Sequence, residues 1–252
     1  TRMKQAGIGA GYVNRIVRAE VMEFIEHARR APALPVELVT RAKFNPNLAP
    51  GGFQGLVALI NNMTLLTIIL TGAAVVRERE HGTIEHALAM PVTSVEIMLG
   101  KLWATALVMT LVVFAAILFV LGGVLELRIA GSLPLLIAAV VLFLLAATSI
   151  GIFLATLARS MPQLALLAFL VVIPMNMLSG STTPLESQPL MLQWIMQLSP
   201  STHFVSVAQA VIFRGAGLPD VWLNLVLTCA IGLVLFLFAL LRFRRSMAAA
   251  RG

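Results

Sequence analysis

The chain has 252 residues, of which 59% are hydrophobic and only 12% are charged. An ordinary soluble domain carries about 25% charged residues, so this composition excludes a soluble globular protein and indicates an integral membrane protein. The net charge of +7 does not indicate a nucleic-acid partner, because the 18 Lys and Arg residues lie in the N-terminal segment and at the edges of apolar runs, not in one basic stripe with aromatic residues.

Residues 1–50 are interpreted as the C-terminal part of an α/β extracytoplasmic domain. Apolar residues from Val13 to Ala28 recur at helical spacing, Pro32 ends this helix, and residues 36–44 are compatible with a strand. The chain starts at Thr1 without an initiator methionine, so we expect the beginning of the domain and a preceding span upstream. The alternative is a cytoplasmic basic amphipathic helix that lies on anionic lipid.

Apolar runs of membrane-spanning length dominate the rest of the chain. A helix needs about 20 residues to cross the hydrocarbon core of a bilayer. Five runs meet or approach this length, and the fourth is the weakest because it is short and contains Pro174 and Asn176. The predicted spans are 53–76, 102–121, 133–158, 163–178 and 221–241. The predicted fold class is therefore an all-α polytopic membrane protein.

The distribution of basic residues predicts the orientation, because cytoplasmic loops are enriched in Lys and Arg. The two loops on one side carry only Arg128 and Arg214. The other side carries Arg77, Arg79, Lys101, Arg159, Arg242, Arg244, Arg245 and Arg251. This predicts a cytoplasmic C-terminus, with a tail at 246–252, and an extracytoplasmic N-terminal segment. Residues 1–52 contain eight Lys and Arg residues of their own, which conflicts with the rule unless they belong to a translocated folded domain.

A dense cluster of charges, residues 77–101, lies between the first two spans. The first span is expected to continue as a helix beyond Val76 until Pro91 breaks it. Thr93 is then expected to cap a second helix, and Glu96, three residues later, completes a capping box. Two helical arms that meet at an elbow would transmit a push from the cytoplasm into the membrane. A solvated helical hairpin without this role is the alternative.

Two patterns superficially resemble metal-binding or phosphate-binding motifs but lack the spacing or the residues that those sites require. His81 and His86 are five positions apart, so on a helix they point in different directions and cannot easily share a zinc ion. Gly100-Lys101 lacks the other residues of a phosphate-binding loop. We therefore predict no catalytic, cofactor-binding or metal-binding residue on this chain. The spans are also nearly free of ionisable residues, which argues against an ion-coupled carrier.

Two groups of small or polar residues lie inside the spans. Ala147, Gly151 and Ala155 recur every four residues and form a seam that allows close helix packing, either within the subunit or in a dimer. The polar residues of the first span could line a substrate path or bond to neighbouring helices. They are Asn61, Asn62, Thr64, Thr67 and Thr71.

The segment 188–214 contains two apolar pieces, at 190–198 and 204–213, and neither is long enough to cross the membrane. It is interpreted as a re-entrant or interfacial helical hairpin on the outer face, with Trp194 and Trp222 as interfacial anchors.

Several short motifs follow one another in a specific order and spacing over residues 40–245. They are Phe44-Asn45-Pro46-Asn47, Arg77-Glu78-Arg79-Glu80-x-Gly82-Thr83-x-Glu85 with Pro91, Glu96 and Gly100-Lys101, Thr148-Ser149-Ile150-Gly151-Ile152-Phe153, Ala158-Arg159-Ser160-Met161-Pro162-Gln163, Leu178-Ser179-Gly180-x-x-Thr183-Pro184, and Pro200-x-Thr202-His203-Phe204. Together these motifs resemble those of the ABC-2 type transport permeases. The subgroup that is most similar carries a large periplasmic domain between its first and second spans.

This resemblance implies a type V exporter-like transmembrane domain at 51–245, with five of the family's six spans present. It further implies a bacterial inner-membrane location, a second permease subunit, and ATP-binding subunits that hold the ATP and Mg. The loop at 77–101 would then dock on the ATPase. The docking residues it implies are Arg77, Glu78, Arg79, Glu80, Gly82, Thr83, Glu85, Pro91, Glu96 and Lys101.

The predicted function is the permease subunit of an ATP-binding-cassette exporter that moves a drug, lipid or other amphiphile and is not itself an enzyme. The alternative is a membrane scaffold or assembly factor that binds a cytoplasmic partner through the loop at 77–101. An intramembrane enzyme is a third option, which the lack of catalytic groups disfavours. The identity of the substrate, the choice between homodimer and heterodimer, and the direction of transport do not follow from the residues themselves.

Overall fold

The computed structural model describes residues 50–80, 93–181 and 185–249, together with Ala19 alone. Within these ranges every regular element is helical. A short 3-10 turn, Leu185–Ser187, follows the fourth α-helix. The α-helices are α1 (Pro50–Glu80), α2 (Ser94–Ala116), α3 (Leu133–Leu157), α4 (Met161–Leu178), α5 (Leu190–Gln197), α6 (Pro200–Arg214) and α7 (Leu218–Ala249).

Five of the described helices are long and apolar enough to cross a membrane, namely α1, α2, α3, α4 and α7. This confirms the predicted all-α fold class with five spans. The predicted extracytoplasmic domain at 1–50 and the predicted elbow around Pro91 lie almost wholly outside the described residues.

The local sequence explains where the helices begin and end. Pro134, Pro162 and Pro200 lie in the first turns of α3, α4 and α6, where a missing N–H costs no helical hydrogen bond. Gly215 ends α6 with a φ of 65°, in the left-handed region that glycine adopts without strain. Only three residues separate α3 from α4, so these two helices form a tight helical hairpin.

Helix α3 is the central helix of the bundle. In its most apolar window 67% of the residues are buried, against 17% for α7 and 22% for α2. It packs most extensively against α7 and α1, and also contacts α2 and α6. The outward faces of α2, α4 and α7 carry exposed leucine, valine and phenylalanine side chains, as expected of helices that face lipid.

Helix α2 continues into a π-helical segment, Ile117–Val124, and Gly122 and Gly123 lie in its last turn. The chain then turns back so that the side chains of Leu125 and Leu127 lie against α1. A Cβ atom on Gly55 would lie 2.2 Å from Leu125 Cδ1. The glycine thus makes room for the end of this loop on α1.

Helix α6 runs back through the bundle towards the end where α3 begins. Phe204, in its first turns, stacks on Phe143 of α3 with ring centroids 4.5 Å apart. At its other end, the carbonyl of Ile212 accepts a hydrogen bond from the N–H of Ala130, just before α3. The connection between α5 and α6 therefore lies inside the bundle, below the end where α3 begins.

Candidate functional site

Four helix ends meet at one end of the bundle, which we name the charged end. Here α1 and α3 terminate, and α2 and α4 begin. The last turn of α1 brings four consecutive charged residues to this point, because no proline or glycine interrupts the helix between Val76 and Glu80. The last three, Glu78, Arg79 and Glu80, each contact a different helix or helix end.

Glu78 of α1 forms an ion pair with Lys101 in the second turn of α2. The side chain of Lys101 is 15% exposed, so most of the pair is shielded from solvent on the lysine side. Fully exposed pairs contribute 0–1 kcal/mol, and partial shielding places this pair towards the upper part of that range. The pair joins the two arms that flank the segment 81–92.

Arg79 donates a hydrogen bond from Nη1 to the backbone carbonyl of Ala158, at 3.0 Å. Ala158 is the residue that ends α3. Carbonyls at a helix C-terminus lack partners within the helix and carry partial negative charge, so a guanidinium is a well-matched partner. Arg79 thereby fastens the end of α1 to the end of α3.

Glu80 accepts a hydrogen bond at Oε1 from the backbone N–H of Met161, at 3.2 Å. Met161 is the first residue of α4, where N–H groups lack partners within the helix and favour negative charge. The turn between α3 and α4 is also fixed by its own side chain, since the N–H of Arg159 donates to Gln163 Oε1 at 2.8 Å. Glu80 therefore joins α1 to a turn that is already ordered.

Together these contacts form a unit that we name the clasp. Its members are Glu78, Arg79, Glu80, Lys101, Ala158 and Met161. Successive residues of α1 hold the start of α2, the end of α3 and the start of α4. These contacts connect the end of α1 to the ends of three other spans.

The predicted capping box at the start of α2 is present. The N–H of Glu96 donates to Thr93 Oγ1 at 3.3 Å, and the N–H of Thr93 donates to Glu96 Oε2 at 2.7 Å. Glu96 is thus occupied with its own helix start, in addition to any contact it makes with a partner.

Besides Glu96, the predicted docking residues fall into three groups. Glu78, Arg79, Glu80 and Lys101 contact helix ends of their own chain, so their side chains are not reserved for a partner. Arg77 has an exposed side chain at the end of α1. The others lie outside the described residues, and they are Gly82, Thr83, Glu85 and Pro91.

Sequence reasoning missed Ala158 and Met161 as partners of the charged residues. Both act through backbone groups, so their side chains carry no chemical signal of the contact. The motif 158–163 did mark this turn as part of the family pattern. Nothing in one sequence links it to residues that are about 80 positions earlier, because helix-end contacts depend on how the spans pack.

Four of the five polar residues of α1 share one face of the helix, and only Asn62 lies on another. The hydroxyls of Thr64, Thr67 and Thr71 are buried, and each donates to the carbonyl four residues earlier in α1 itself. Asn62 is exposed and donates to Ala58 O at 2.8 Å, whereas Asn61 Oδ1 is buried without a hydrogen-bond partner. Their role in a substrate path stays a prediction, and Asn61 is the member with a polar atom left to offer.

The small-residue seam of α3 lies against α1 at its central residue. A Cβ atom on Gly151 would lie 2.7 Å from the carbonyl oxygen of Ile68 and 3.1 Å from Thr71 Cβ. Ala147 and Ala155 are fully buried within the same chain. At Gly151, close approach therefore serves packing within the subunit.

Within the described residues no group of three or more His, Cys, Asp or Glu side chains could hold a metal ion. The arrangement at the charged end instead consists of an ion pair and hydrogen bonds between helix ends.

Comparisons with known proteins agree with the architecture. The sequence model of the ABC-2 type transporter family matches residues 33–213. The chain is 51% identical over 247 residues to the "Inner membrane transport permease YhhJ" of Escherichia coli (strain K12), which covers 98% of this chain and 66% of that protein. It is 31% identical over 224 residues to the "Probable multidrug ABC transporter permease YbhR" of the same organism, covering 87% and 59%. It is also similar to "Nodulation protein J" of Neorhizobium galegae, at 30% identity over 198 residues, covering 77% of this chain and 72% of that protein.

The chain spans slightly less than two thirds of the length of the first of these relatives.

Proposed function

This chain belongs to the ABC-2 type transporter family, and on that premise we propose that it is the permease part of an ATP-binding-cassette exporter in a bacterial inner membrane. It moves a drug, lipid or other amphiphile with energy from ATP, which a partner subunit binds with Mg and hydrolyses. The relatives named as transport permeases and the five apolar spans support this assignment. The observation that carries the proposal is the clasp.

The clasp supports transport because it connects the loop at 77–101 to most of the bundle. A scaffold needs only exposed charges to bind a cytoplasmic protein. Here two residues of the loop itself, Arg79 and Glu80, contact the end of α3 and the start of α4. This connection has a use if the loop receives a displacement and passes it to the spans.

The charged end is assigned to the cytoplasmic side. Its basic residues favour this side by the positive-inside rule, and α7 places further arginines, Arg242 and Arg244, near its C-terminal end. The C-terminus is then cytoplasmic and the N-terminal segment extracytoplasmic. A second permease subunit, identical or different, completes the transport path.

The proposed transfer of motion has two steps. Closure of the ATPase on ATP displaces the segment that contains Gly82, Thr83, Glu85 and Pro91, together with Arg77 and the capped start of α2 at Glu96. The clasp then carries this displacement to the helices that it joins. Glu78, Arg79 and Glu80 thus act behind the docking surface, as couplers and not as primary contacts.

The test uses the full-length protein, purified with its ATP-binding partner subunit and reconstituted in lipid nanodiscs. The variants are Glu78→Lys, Lys101→Glu and the double exchange. Each single variant places like charges together, and we expect it to lower permease-dependent ATP hydrolysis by about fivefold, as a change of about 1 kcal/mol would. The double exchange restores the ion pair and should restore hydrolysis.

Arg242→Gln is the matched control. Arg242 carries the same positive charge as Lys101, lies near the end of α7 and is exposed. If both single variants hydrolyse ATP like the parent complex, the clasp does not couple the two subunits. A complex that forms normally but never changes the hydrolysis rate, even with the unaltered permease, would identify the chain as a scaffold.

A further inference from the structure

The tip of the hairpin formed by α5 and α6, residues 198–202, contains three hydroxyl groups without partners. They belong to Ser199, Ser201 and Thr202, and none of them makes a hydrogen bond. Ser201 is completely buried and Thr202 is 5% exposed. A buried hydroxyl without a partner lowers stability, so three of them within one turn need a reason other than packing.

These hydroxyls surround the N-terminus of α6, a helix of 15 residues. The first N–H groups of a helix have no partner within it, and the helix dipole favours negative charge there. Ser199 is the N-cap residue, yet its side chain makes no capping hydrogen bond, and the first turn contains no acidic residue. Side chains on a helix lean towards its N-terminus, so Ser201 and Thr202 add their hydroxyls to this same point.

The tip lies deep in the bundle. Phe143, which stacks on Phe204, is ten residues from the start of α3, or about 15 Å along its axis. Since α3 and α6 run in opposite directions, the start of α6 lies level with residues about a turn beyond Phe143.

An apolar stripe leads along α5 to this tip. Its five members are 54–81% exposed, at positions i, i+1, i+4, i+5 and i+8 of one helical face. They are Leu190, Met191, Trp194, Ile195 and Leu198. Helix α5 contains no charged residue, and the stripe ends at Ser199. An uncharged apolar stripe that ends at hydroxyl groups and a helix N-terminus matches a molecule with an apolar tail and an anionic head.

We propose that the hairpin tip binds the carboxylate or phosphate head group of an amphiphile whose acyl chain lies along the apolar stripe of α5. The hydroxyls of Ser199, Ser201 and Thr202 donate hydrogen bonds to the anionic oxygens, and the start of α6 adds its positive dipole. This inference names a substrate class for the proposed exporter and rests on that proposed function.

The hydroxyls are covered in this structure, so the hairpin must move for the head group to enter. Helix α5 is suited to such a movement because none of its residues is buried. Its polar contacts include Gln193 Nε2 to Gln188 O at 2.9 Å and the contact between Gln197 O and His203 Nε2 at 2.8 Å.

The experiment uses Trp194 as a reporter on the stripe. The full-length permease is placed in nanodiscs of zwitterionic phospholipid, with every other tryptophan replaced by phenylalanine, including Trp103 and Trp222. Doxyl-labelled stearate, which is anionic, is titrated in, and its quenching of Trp194 fluorescence is compared with that of a doxyl-labelled alkyltrimethylammonium of equal chain length. We expect saturable quenching by the anionic probe only.

The double variant Ser201→Ala/Thr202→Val should weaken the apparent affinity for the anionic probe by about tenfold or more, since two charge-assisted hydrogen bonds are lost. Thr202→Ser keeps the hydroxyl and should bind like the parent, which guards against a folding defect. Thr110→Val is the control for removal of a hydroxyl elsewhere, because Thr110 bonds only to Ala106 O within α2.

Equal and unsaturable quenching by both probes, unchanged in the hydroxyl variants, would mean simple partitioning into lipid and would overturn the proposal. Absence of quenching would show that another protein surface covers the stripe, and this outcome would also overturn the proposal. The measurement needs neither ATP nor the partner subunit. Failure of the clasp experiment and failure of this one are therefore distinguishable.

Discussion

The carboxylate of Glu80 lies 3.2 Å from the backbone nitrogen of Met161, across a separation of 81 residues. The last described residue of the first span thus holds the first residue of the fourth. Between them in sequence lie two complete spans, α2 and α3, which the same turn of α1 also contacts. The first span is therefore the helix that contacts each of the other three helices at the charged end.

Glu80 tests this relationship directly. Glu80→Ala removes the acceptor and leaves the N–H of Met161 unpaired, so we expect a loss of about 1 kcal/mol in unfolding free energy. Glu80→Gln keeps an acceptor oxygen and should retain most of it. Thermal unfolding in detergent compares the two variants. Equal stabilities would mean that the contact at Met161 contributes nothing.

Arg79 is expected to matter more for coupling than for folding. Arg79→Met keeps the aliphatic stem but removes the donor to Ala158 O. The end of α3 is then released from α1, so permease-dependent ATP hydrolysis should fall while the amount of purified complex stays the same. Hydrolysis is measured in nanodiscs beside the control Arg242→Met. A fall in hydrolysis shared by both variants would assign the effect to charge at this end and not to the clasp.

The contact between α1 and α3 leaves no space at Gly151. Gly151→Ala places a methyl group 2.7 Å from Ile68 O, which is backbone and cannot turn aside. Such overpacking costs about 1–3 kcal/mol, so the melting temperature in detergent should fall clearly. Gly100→Ala is the matched control, since no atom lies within 4 Å of its Cβ position. It should be as stable as the parent or slightly more stable, because alanine favours helix.

His203 links three elements through its ring. Nε2 faces Gln197 O at 2.8 Å, and Nδ1 faces Asn224 Oδ1 of α7 at 3.1 Å. His203→Ala leaves the Gln197 carbonyl without this partner, and we expect a loss of about 1–3 kcal/mol.

A double-mutant cycle with Asn224→Ala isolates the contact between the side chains. The sum of the losses of unfolding free energy in the two single variants should exceed the loss in the double variant. Strict additivity, measured by thermal unfolding, would show that the ring and the amide do not interact.

The sequence predicted those features of the fold that depend on local composition. Apolar length predicted the five spans, because a bilayer demands it of every helix. Thr93 and Glu96 predicted the start of α2, because a capping box is closed within four residues. The same local logic predicted that α1 continues beyond Val76 until Pro91, and the described part of this helix extends to Glu80.

What the sequence did not predict depends on contacts between spans. The partners of Arg79 and Glu80 are backbone groups at helix ends, which have no residue signature. The threonines of α1 suggested a polar path, but a hydroxyl on a helix can bond to its own backbone, and Thr64, Thr67 and Thr71 do so. The π-helical end of α2 was likewise absent from the prediction, since its apolar run looks like any other.

The central position of α3 has a consequence for biosynthesis. Helix α3 packs most extensively against α7, which is made well after it, and Gly232 of α7 approaches Ala146 so closely that a Cβ atom there would lie 3.0 Å from Ala146 Cβ. Until α7 is made, this face of α3 lacks its main partner within the described part of the chain. Nascent chains that stop before residue 218 therefore expose an apolar surface that α7 would cover, and synthesis of α7 is the step that closes the bundle on this side.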